Sequence, residues 1–410
     1  MKAKLLTLLL FCGLIATEVS AADDSLVTSR TKVGIRFKGF VKSDYWYDTR
    51  QVVASREELF LFYPKEVKLV GGKDVNAEDY VNFSPVTSRL TGLITGPDAF
   101  GAKTSGVIEA DFSGVTNADI NGFRLRHAFG LLRWKKSELL FGQYWHPMFV
   151  TEVFPNVISL NTGAPFQPFI RNPQLSFTRY FNELSVQFAV IAQRDNSNDG
   201  PLGYNGVYMR NALVPNIHLQ FQYKTEEHVF GLAGDWKTLR PRLETDSIIT
   251  NDQISSYAAM AYWKYKQGDF IWRFKTIYGQ NLTEHLLLGG YAVHTYDPST
   301  DRESYTPTNH LFLWGNIQYG KKIVYGLFGG FAKNFGTSET NTGKYYSRGA
   351  NIDYLYRIAP SVSWISNNVQ IAFEPEYTVA AYGIPDNKGK VTDAEEVANL
   401  RLLLTFFYFF

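Results

Sequence analysis

Apolar and polar side chains alternate along most of the chain, in segments of roughly 10 to 15 residues separated by turn residues. In residues 33–47, VGIRFKGFVKSDYWY, one face of such a segment is apolar, and its members are Val33, Ile35, Phe37, Val41 and Tyr45. The opposite face is charged and contains Arg36, Lys38, Lys42 and Asp44. Residues 214–224, VPNIHLQFQYK, repeat the pattern. A period of two predicts transmembrane barrel strands with one face toward lipid and one toward a watery lumen.

The C-terminal segment, VANLRLLLTFFYFF, ends on Phe410 in the same alternation. One face carries Leu402, Leu404, Phe406, Tyr408 and Phe410. A soluble β-sandwich also alternates, but it seldom finishes on an exposed aromatic strand. A terminal aromatic in this register is typical of bacterial outer-membrane proteins, in which aromatic girdles lie at the membrane interface.

Connection lengths predict the number of strands, because outer-membrane barrels have short periplasmic turns and longer outer loops. Short connections lie near residues 96–105, 135–137, 181–183, 225–227, 266–268, 319–321 and 366–368. Longer ones lie near residues 48–80, 115–120, 147–173, 194–213, 241–252, 279–307, 335–348 and 383–396. The fold class is therefore predicted to be all-β: a transmembrane antiparallel β-barrel of about 16 strands. Residues 286–293, LLLGGYAV, are assigned to a folded loop, since another strand would make the number odd.

The stretch WHPMFVTEVFPNVISLNTGAPFQPFIRNPQ, from Trp145 to Gln174, has five prolines and almost no charge. Prolines exclude a long helix and a central strand. In the alternation of turns and loops, residues 147–173 form the third outer loop. We expect this loop to fold into the lumen as the constriction, because prolines stiffen it and its aromatics can pack against the inner wall.

Residues 1–21 have the basic start, apolar run and small-residue cleavage step of a secretory signal peptide, predicted to be cleaved after Ala21. The one cysteine, Cys12, lies inside it, so the mature chain is expected to have no disulfide and no Cys-ligated metal. Residues 22–410 contain no linker or change in composition and are predicted to form a single barrel. No apolar run of about 18 residues follows the leader, so no transmembrane helix is predicted.

The formal net charge of +2 predicts no bulk attraction to nucleic acid. Candidate chemistry is sparse. His146 and Glu152 lack a further ligand at metal-binding spacing, so no metal is expected. DNSNDG, residues 195–200, resembles the start of a calcium loop, but its twelfth position is Gly206 instead of Glu, which favours a solvated outer loop. No phosphate-binding glycine loop or GxSxG elbow occurs, so no catalytic residue, cofactor or enzyme activity is expected.

Inward charges are the stronger candidates, because lumen-facing residues of a barrel tune selectivity. The residues predicted to line the lumen or its narrowing are Arg36, Lys42, Arg89, Glu109, Asp111, Arg124, Arg126, Glu152, Arg171, Arg273 and Lys275. Arg124 and Arg126 are expected to face Glu152. Basic rows opposed by acidic ones, among them Glu374 and Glu376, would create a transverse field, and the basic excess favours anions.

Several motifs, in order, resemble the DcaP-like outer-membrane porins of Gram-negative bacteria. They are SRLTGLITGPDAFGAKTSGVIEADF (residues 88–112), RLRHAF (124–129), GQYWHP (142–147) and NTGAPFQPFIRNPQ (161–174). The resemblance implies a sixteen-stranded homotrimer that passes small, often negatively charged solutes by diffusion, with the third outer loop folded into the lumen. Some members carry a helical N-terminal extension, whereas only residues 22–32 precede the first strand here.

Together these observations predict a porin of the bacterial outer membrane, in contact with its lipid. We expect passive diffusion of small hydrophilic solutes, with a modest preference for anions such as small carboxylates. Two alternatives stay open: a substrate-specific channel with a saturable binding site, and a barrel enzyme or adhesin. An active transporter would need a plug domain ahead of the barrel, which residues 22–32 are too short to supply.

Overall fold

The computed structural model describes residues 33–115 and 117–410, and the predicted signal peptide lies outside them. Its strands are β1 (Gly34–Asp48), β2 (Val52–Ser55), β3 (Phe60–Pro64), β4 (Leu69–Val70), β5 (Lys73–Asp74), β6 (Tyr80–Ser84), β7 (Arg89–Thr95), β8 (Lys103–Asp111), β9 (Arg124–Arg133), β10 (Ser137–Trp145), β11 (Arg171–Phe181), β12 (Leu184–Ile191), β13 (Asn216–Lys224), β14 (His228–Leu239), β15 (Ile254–Gln267), β16 (Phe270–Gln280), β17 (Gly289–Asp297), β18 (Arg302–Gly320), β19 (Ile323–Thr337), β20 (Tyr345–Arg348), β21 (Ile352–Ser366), β22 (Val369–Pro385) and β23 (Val391–Phe409). The helices are α1 (Val207–Ala212) and the 3₁₀ turns Val75–Ala77, Asn117–Asp119, Pro147–Phe149 and Thr283–His285. Across the described ranges, no helix is long and apolar enough to cross a membrane.

The wall is a closed antiparallel barrel of 16 strands, as predicted. It closes where β1 pairs with β23, from Phe40 opposite Phe409 to Asp48 opposite Arg401. The strands β6 and β7 both pair with β1 and together make one wall strand, which is interrupted at Pro85. Closure pairs every edge, so no strand edge of the wall faces lipid unpaired.

The seven predicted short turns coincide with the short connections between wall strands. Two details differ from prediction. Residues 289–297 form β17, which pairs with the outer end of β18 and with β20, while β16 pairs with β18 directly. The barrel count is therefore unchanged. The last outer connection spans only residues 386–390, because β22 and β23 stay paired up to Pro385 opposite Val391.

The two faces of the wall divide as the alternation predicts. Val33, Ile35 and Phe37 of the first segment are exposed, whereas Lys42 and Asp44 are buried toward the inside. The C-terminal face from Leu402 to Phe410 is exposed as well, with its alternate residues Leu403 and Thr405 buried. An outward apolar belt of this kind lies against the bilayer.

The apolar core lies inside the barrel, where two outer loops fold inward. They are the first outer loop, residues 49–79, and the third outer loop, which spans residues 146–170 in the structure instead of the predicted 147–173, because β11 begins at Arg171. Their aromatic rings meet, as Phe60 packs edge-on against Phe169 at 5.1 Å between ring centroids. Phe166 lies against Phe328 of the wall at 6.2 Å. The sequence predicted the inward third loop but not the first.

Candidate functional site

The tip of the third outer loop is attached to the wall opposite its stem. The carboxylate of Glu374, on β22, accepts hydrogen bonds from the backbone N–H groups of Ile158 at 2.8 Å and Ser159 at 2.9 Å. Glu376 accepts one from the Asn161 side chain at 2.8 Å. Lys42, on β1, donates to the Ile158 carbonyl at 3.2 Å. The loop leaves the wall between β10 and β11 and ends its crossing at β22 and β1, so it spans the lumen.

The stem of the same loop is fixed by the wall at β16 and β18. Lys275 donates from Nζ to the carbonyls of Met148 at 3.1 Å and Phe149 at 2.7 Å. Trp314 donates to the Gln167 side chain at 3.0 Å. Lys275 is fully buried, and so are the carboxylates at the tip. Lys42, Lys275 and the two glutamates therefore anchor the loop, which corrects the expectation that they form open basic and acidic rows.

Two buried arginines hold the first outer loop. Arg357, on β21, donates to the carbonyls of Leu61 at 3.3 Å and Phe62 at 2.9 Å, and also to Ala164 of the third outer loop at 2.9 Å. Arg401, on β23, donates to Glu58 O at 2.7 Å and Leu59 O at 3.3 Å, with Asp48 as its ion-pair partner at 2.7 Å. Arg357 thus connects both loops to one point of the wall.

A compact charge cluster lies on neighbouring strands β8 and β9. Arg126 pairs with Glu109 at 2.8 Å and with Asp111 at 2.7 Å. Arg124 pairs with Asp111 at 2.9 Å, and Arg89 of β7 lies 3.6 Å from Glu109. Acidic and basic side chains therefore alternate along one wall. The expectation that they oppose each other across the narrowing is wrong here, because adjacent strands bring them into direct contact.

Arg171 lies at the outer edge of this cluster. Its guanidinium pairs with Asp195 at 2.6 Å and stacks on Trp145, 4.7 Å from the ring centroid. Burial alone would raise the pKa of Asp195, but the neighbouring guanidinium groups of Arg171 and Arg124 outweigh burial and hold that pKa below its usual value. Asp195 is therefore an arginine partner rather than part of a solvated loop, and Asn198 is likewise fully buried.

The remaining predicted residues lie lower in the lumen or at its mouth. Glu152 pairs with Lys224 at 2.8 Å, not with Arg124 or Arg126 as expected. The reason is that the stem directs Glu152 toward β13 and away from β9. Arg273 donates to Asn316 at 3.1 Å and to Gln318 at 3.2 Å. Arg36 is exposed at the N-terminal end of β1.

Two cavities lie beneath the third outer loop. The larger cavity, about 920 Å³, is lined by strands β9 to β13 and contains Glu152, Lys224 and Gln174. The smaller cavity, about 480 Å³, lies against β1 and β7 to β9. Tyr144, Trp145 and Thr151 line both of them.

The two cavities differ in charge. The larger cavity has four carboxylates and two basic side chains besides His146: Glu138, Glu152, Glu183, Glu226, Arg133 and Lys224. The smaller cavity has one carboxylate and four basic side chains besides His127: Glu109, Lys38, Lys42, Arg89 and Arg126. Aromatic rings at the end of β10, those of Tyr144 and Trp145, therefore separate an acidic compartment from a basic one.

A group of metal-ligating side chains lies at the loop stem. His146, His218 and Asp235 bring one ligand atom each to within 4.8 Å of one another. Burial lowers the pKa values of His146 and of the nearby His285 well below the usual range. The sequence pairs His146 with Glu152 by proximity along the chain. The fold instead pairs it with strands β13 and β14, more than 70 residues away.

The functional residues that sequence reasoning missed are the loop anchors Arg357 and Arg401. Both lie at inward positions of otherwise apolar or alternating strand segments, and this position was the one signal in the sequence that could have identified them. Their role could not be read from that position, because their partners are backbone carbonyls of a loop about 300 or more residues away. The inward fold of the first outer loop carried no proline-rich signature comparable with that of the third.

Comparison with known proteins supports the architecture. No family model matches the chain, and no curated protein matches it. Among solved structures, the outer-membrane channel DcaP of Acinetobacter baumannii is similar, with 15% identity, 93% of this chain and 99% of that chain covered, and a TM-score of 0.70. The outer-membrane protein OmpT of Vibrio cholerae is similar at 11% identity, with 96% and 100% covered and a TM-score of 0.54.

At these identities the comparison shows the fold. The chain has a DcaP-like porin fold, which confirms the fold named from the motifs. The closed barrel, its outward apolar belt and its outer-membrane neighbours place the protein in the bacterial outer membrane.

Proposed function

We propose that the protein is a passive diffusion channel for small hydrophilic solutes. One observation carries the proposal: a loop fixed at its stem and at its tip crosses a closed barrel that has a polar inner wall. A loop held in this way narrows the lumen to a set size and excludes large solutes by shape. The similar fold of outer-membrane channels supports the same function.

The proposed narrowing is residues 147–173 together with the first outer loop. Permeating solutes would pass beside the rings of Tyr144 and Trp145, where the two cavities meet. We retain the eleven predicted residues as the lumen and narrowing set, with divided roles. Lys42 and Lys275 hold the loop, Glu152 faces the larger cavity, and Arg89 faces the smaller one.

A modest preference for anions is part of the proposal, and the smaller cavity supports it. Its basic side chains outnumber its carboxylates, and Lys38 and Arg36 make no ion pair with any residue the structure describes. Unpaired cations at a mouth raise the local concentration of anions within about 10 Å at moderate salt. The acidic larger cavity limits the preference to a modest one.

The test is conductance of the purified protein in a planar bilayer under a salt gradient. Open-channel current with a reversal potential toward the anion equilibrium value is expected. Replacing both Arg36 and Lys38 by Gln should move that potential toward the cation value. Absence of conductance would contradict the channel, and cation selectivity of the unmodified protein would contradict the anion preference alone. Saturable block by one solute would favour a substrate-specific channel, and hydrolytic or adhesive activity without conductance would favour the remaining alternative.

We also propose a homotrimer. One structure of similar fold, at 10% identity with 92% of this chain and 99% of that chain covered and a TM-score of 0.54, is described as a trimer form of OmpT from Vibrio cholerae. Native mass measurement in detergent should give three chains per particle. A monomer would contradict the proposed trimer but not the proposed channel function.

A further inference from the structure

Three histidines from separate segments meet at the stem of the third outer loop. His146 begins the loop, His218 lies on β13, and His285 ends the turn Thr283–His285. All three side chains are at most 1% exposed. Asp235, on β14, lies directly opposite His218 in the strand pair and is 7% exposed.

The ligand atoms have the spacing of a metal site. The Asp235 carboxylate oxygen Oδ2 lies 3.2 Å from His218 Nδ1 and 3.5 Å from His146 Nε2. A tetrahedral Zn²⁺ with ligands at about 2.0–2.2 Å holds neighbouring ligand atoms about 3.3–3.6 Å apart. Both measured separations are close to that range, and the ligand nitrogens of His146 and His218 lie within 4.8 Å of each other.

The ring nitrogens that a metal would need lie at the group, although two of the imidazoles must adopt the tautomer that leaves those nitrogens unprotonated. His146 Nε2 and both ring nitrogens of His285 have no hydrogen-bond partner within the part of the chain that the structure describes. His218 Nε2 lies 3.3 Å from Gln220 Oε1, which can accept a hydrogen bond. The side-chain nitrogen of the same Gln220 donates to the Tyr262 hydroxyl. Metal binding through Nδ1 requires the His218 proton on Nε2, where Gln220 Oε1 can accept it.

Asp235 supplies the anionic ligand of the group. Its close contacts with titratable side chains are to His218 and His146, whereas Glu284, a second buried carboxyl group nearby, has Lys237 as its ion-pair partner. A buried carboxylate is costly to leave without a cation, and a bound metal ion removes that cost.

From this geometry we propose that His146, His218 and Asp235 bind a divalent transition-metal ion of the zinc class. Two imidazoles and one carboxylate are a donor set for such ions, and the fourth position faces His285 or a water. His146 binds through Nε2 and carries its proton on Nδ1, so the 3.2 Å contact from the Met148 N–H to Nδ1 is given up. The ion reaches the site from the larger cavity, whose lining includes His146.

The metal would join the loop stem to the wall. His146 belongs to the third outer loop, whereas His218 and Asp235 belong to adjacent wall strands. Bound metal therefore fixes the position of the loop relative to β13 and β14. Because it stabilises the folded barrel, its removal lowers the melting temperature.

The test is Co²⁺ titration of the full mature chain in detergent after removal of metals with a chelator. One Co²⁺ per chain is expected, with the visible absorption of a tetrahedral site, displaced by Zn²⁺. Asp235→Asn and His218→Ala should each weaken binding at least about tenfold. His294→Ala is the matched control, because that half-exposed histidine of β17 has a carboxylate neighbour, Glu339, at 3.1 Å but does not belong to the group of ligand atoms at the loop stem.

Each possible result of the Co²⁺ titration leads to a different conclusion. No stoichiometric Co²⁺ in the unmodified protein overturns the site and leaves the 3.2 Å contact between His218 and Asp235 as an ordinary buried hydrogen bond. Equal binding by Asp235→Asn, His218→Ala and the unmodified chain overturns the ligand assignment. If the ligand variants do not form a barrel that resists unfolding in detergent, the unmodified protein's stoichiometry decides alone. Channel conductance does not enter this test, so its result is independent of the proposed function.

Discussion

At the residue scale, the buried charges beside the two inward loops hold backbone rather than face solute. Glu374 binds two N–H groups of the third outer loop, and Arg357 binds carbonyls of both inward loops. Charge-assisted hydrogen bonds of this kind are about twice as strong as neutral ones. A loop inside a watery lumen needs them, because water competes for its exposed backbone groups. Selectivity is then left to the half-exposed charges, such as Glu152 and Arg89.

Glu374→Gln should loosen the tip of the third outer loop. The amide keeps the length but has one acceptor oxygen, so one of the two N–H groups, which bond to different carboxylate oxygens, faces an NH2 group instead. The loss is about 2 kcal/mol by the usual strength of charged hydrogen bonds. Single-channel recordings should show a larger and noisier open current. Glu395→Gln is the control, because that glutamate is exposed on neighbouring β23. Identical traces from both variants would mean that the tip does not limit conductance.

Glu152→Gln should shift selectivity toward anions. It removes one negative charge from the larger cavity and releases Lys224 from its 2.8 Å ion pair. The reversal potential in a salt gradient measures the effect, and it should be largest at low ionic strength, where screening is weakest. Glu152→Asp keeps the charge and should behave as the unmodified channel. A shift toward cations would contradict the placement of Glu152 on the solute path.

At the element scale, the two inward loops share anchors but differ in how far the sequence predicts them. Five prolines and a lack of charge identified the third loop as a fixed structure inside the lumen. The first loop has ordinary composition, and its hairpin of β2 and β3 is buried through Arg401 and Arg357, which lie on strands at the other end of the chain. Local pattern fixes strands and turns, because alternation and turn chemistry act over a few residues. It does not fix which wall residue binds which loop, since those partners are set by barrel closure.

Arg401→Gln and Arg357→Gln should affect the two inward loops differently. Arg401 binds Glu58 and Leu59 of the first loop, whereas Arg357 also binds Ala164 of the third. Hydrogen exchange should therefore become at least about tenfold faster around residues 58–62 in both variants, since about 1.4 kcal/mol of lost local stability is a factor of ten. Around residues 160–167 only Arg357→Gln should show faster exchange. Equal protection of residues 160–167 in both variants would contradict the shared anchor.

At the scale of the whole molecule, the wall strands and the two inward loops satisfy their backbone hydrogen bonds in different ways. Wall strands satisfy one another's backbone groups around a closed ring, which the lipid environment requires, and the inward loops satisfy theirs through side chains of that ring. The alternation in the sequence predicted the ring almost completely, including its seven short turns. It could not predict that Glu109 and Asp111 would pair with Arg124 and Arg126 on the adjacent strand, because strand register is set only when neighbouring strands pair.

Removing the hairpin of the first loop should therefore enlarge the channel and keep the barrel. Residues 52–64 can be replaced by two glycines, because the Lys65 N–H donates to the Gln51 carbonyl at 2.9 Å and the cut ends already meet. The wall ladder does not include this hairpin, so the chain should still resist unfolding in detergent until heated. Conductance should rise, because Phe60 and its neighbours leave the lumen. The control replaces residues 245–248 by two glycines in an outer loop whose ends pair at Glu244 and Ile249, and its conductance should not change. Loss of the barrel in the hairpin variant but not in the control would show that the first outer loop is needed to close the wall. Unchanged conductance in the hairpin variant would mean that the third outer loop alone forms the narrowing.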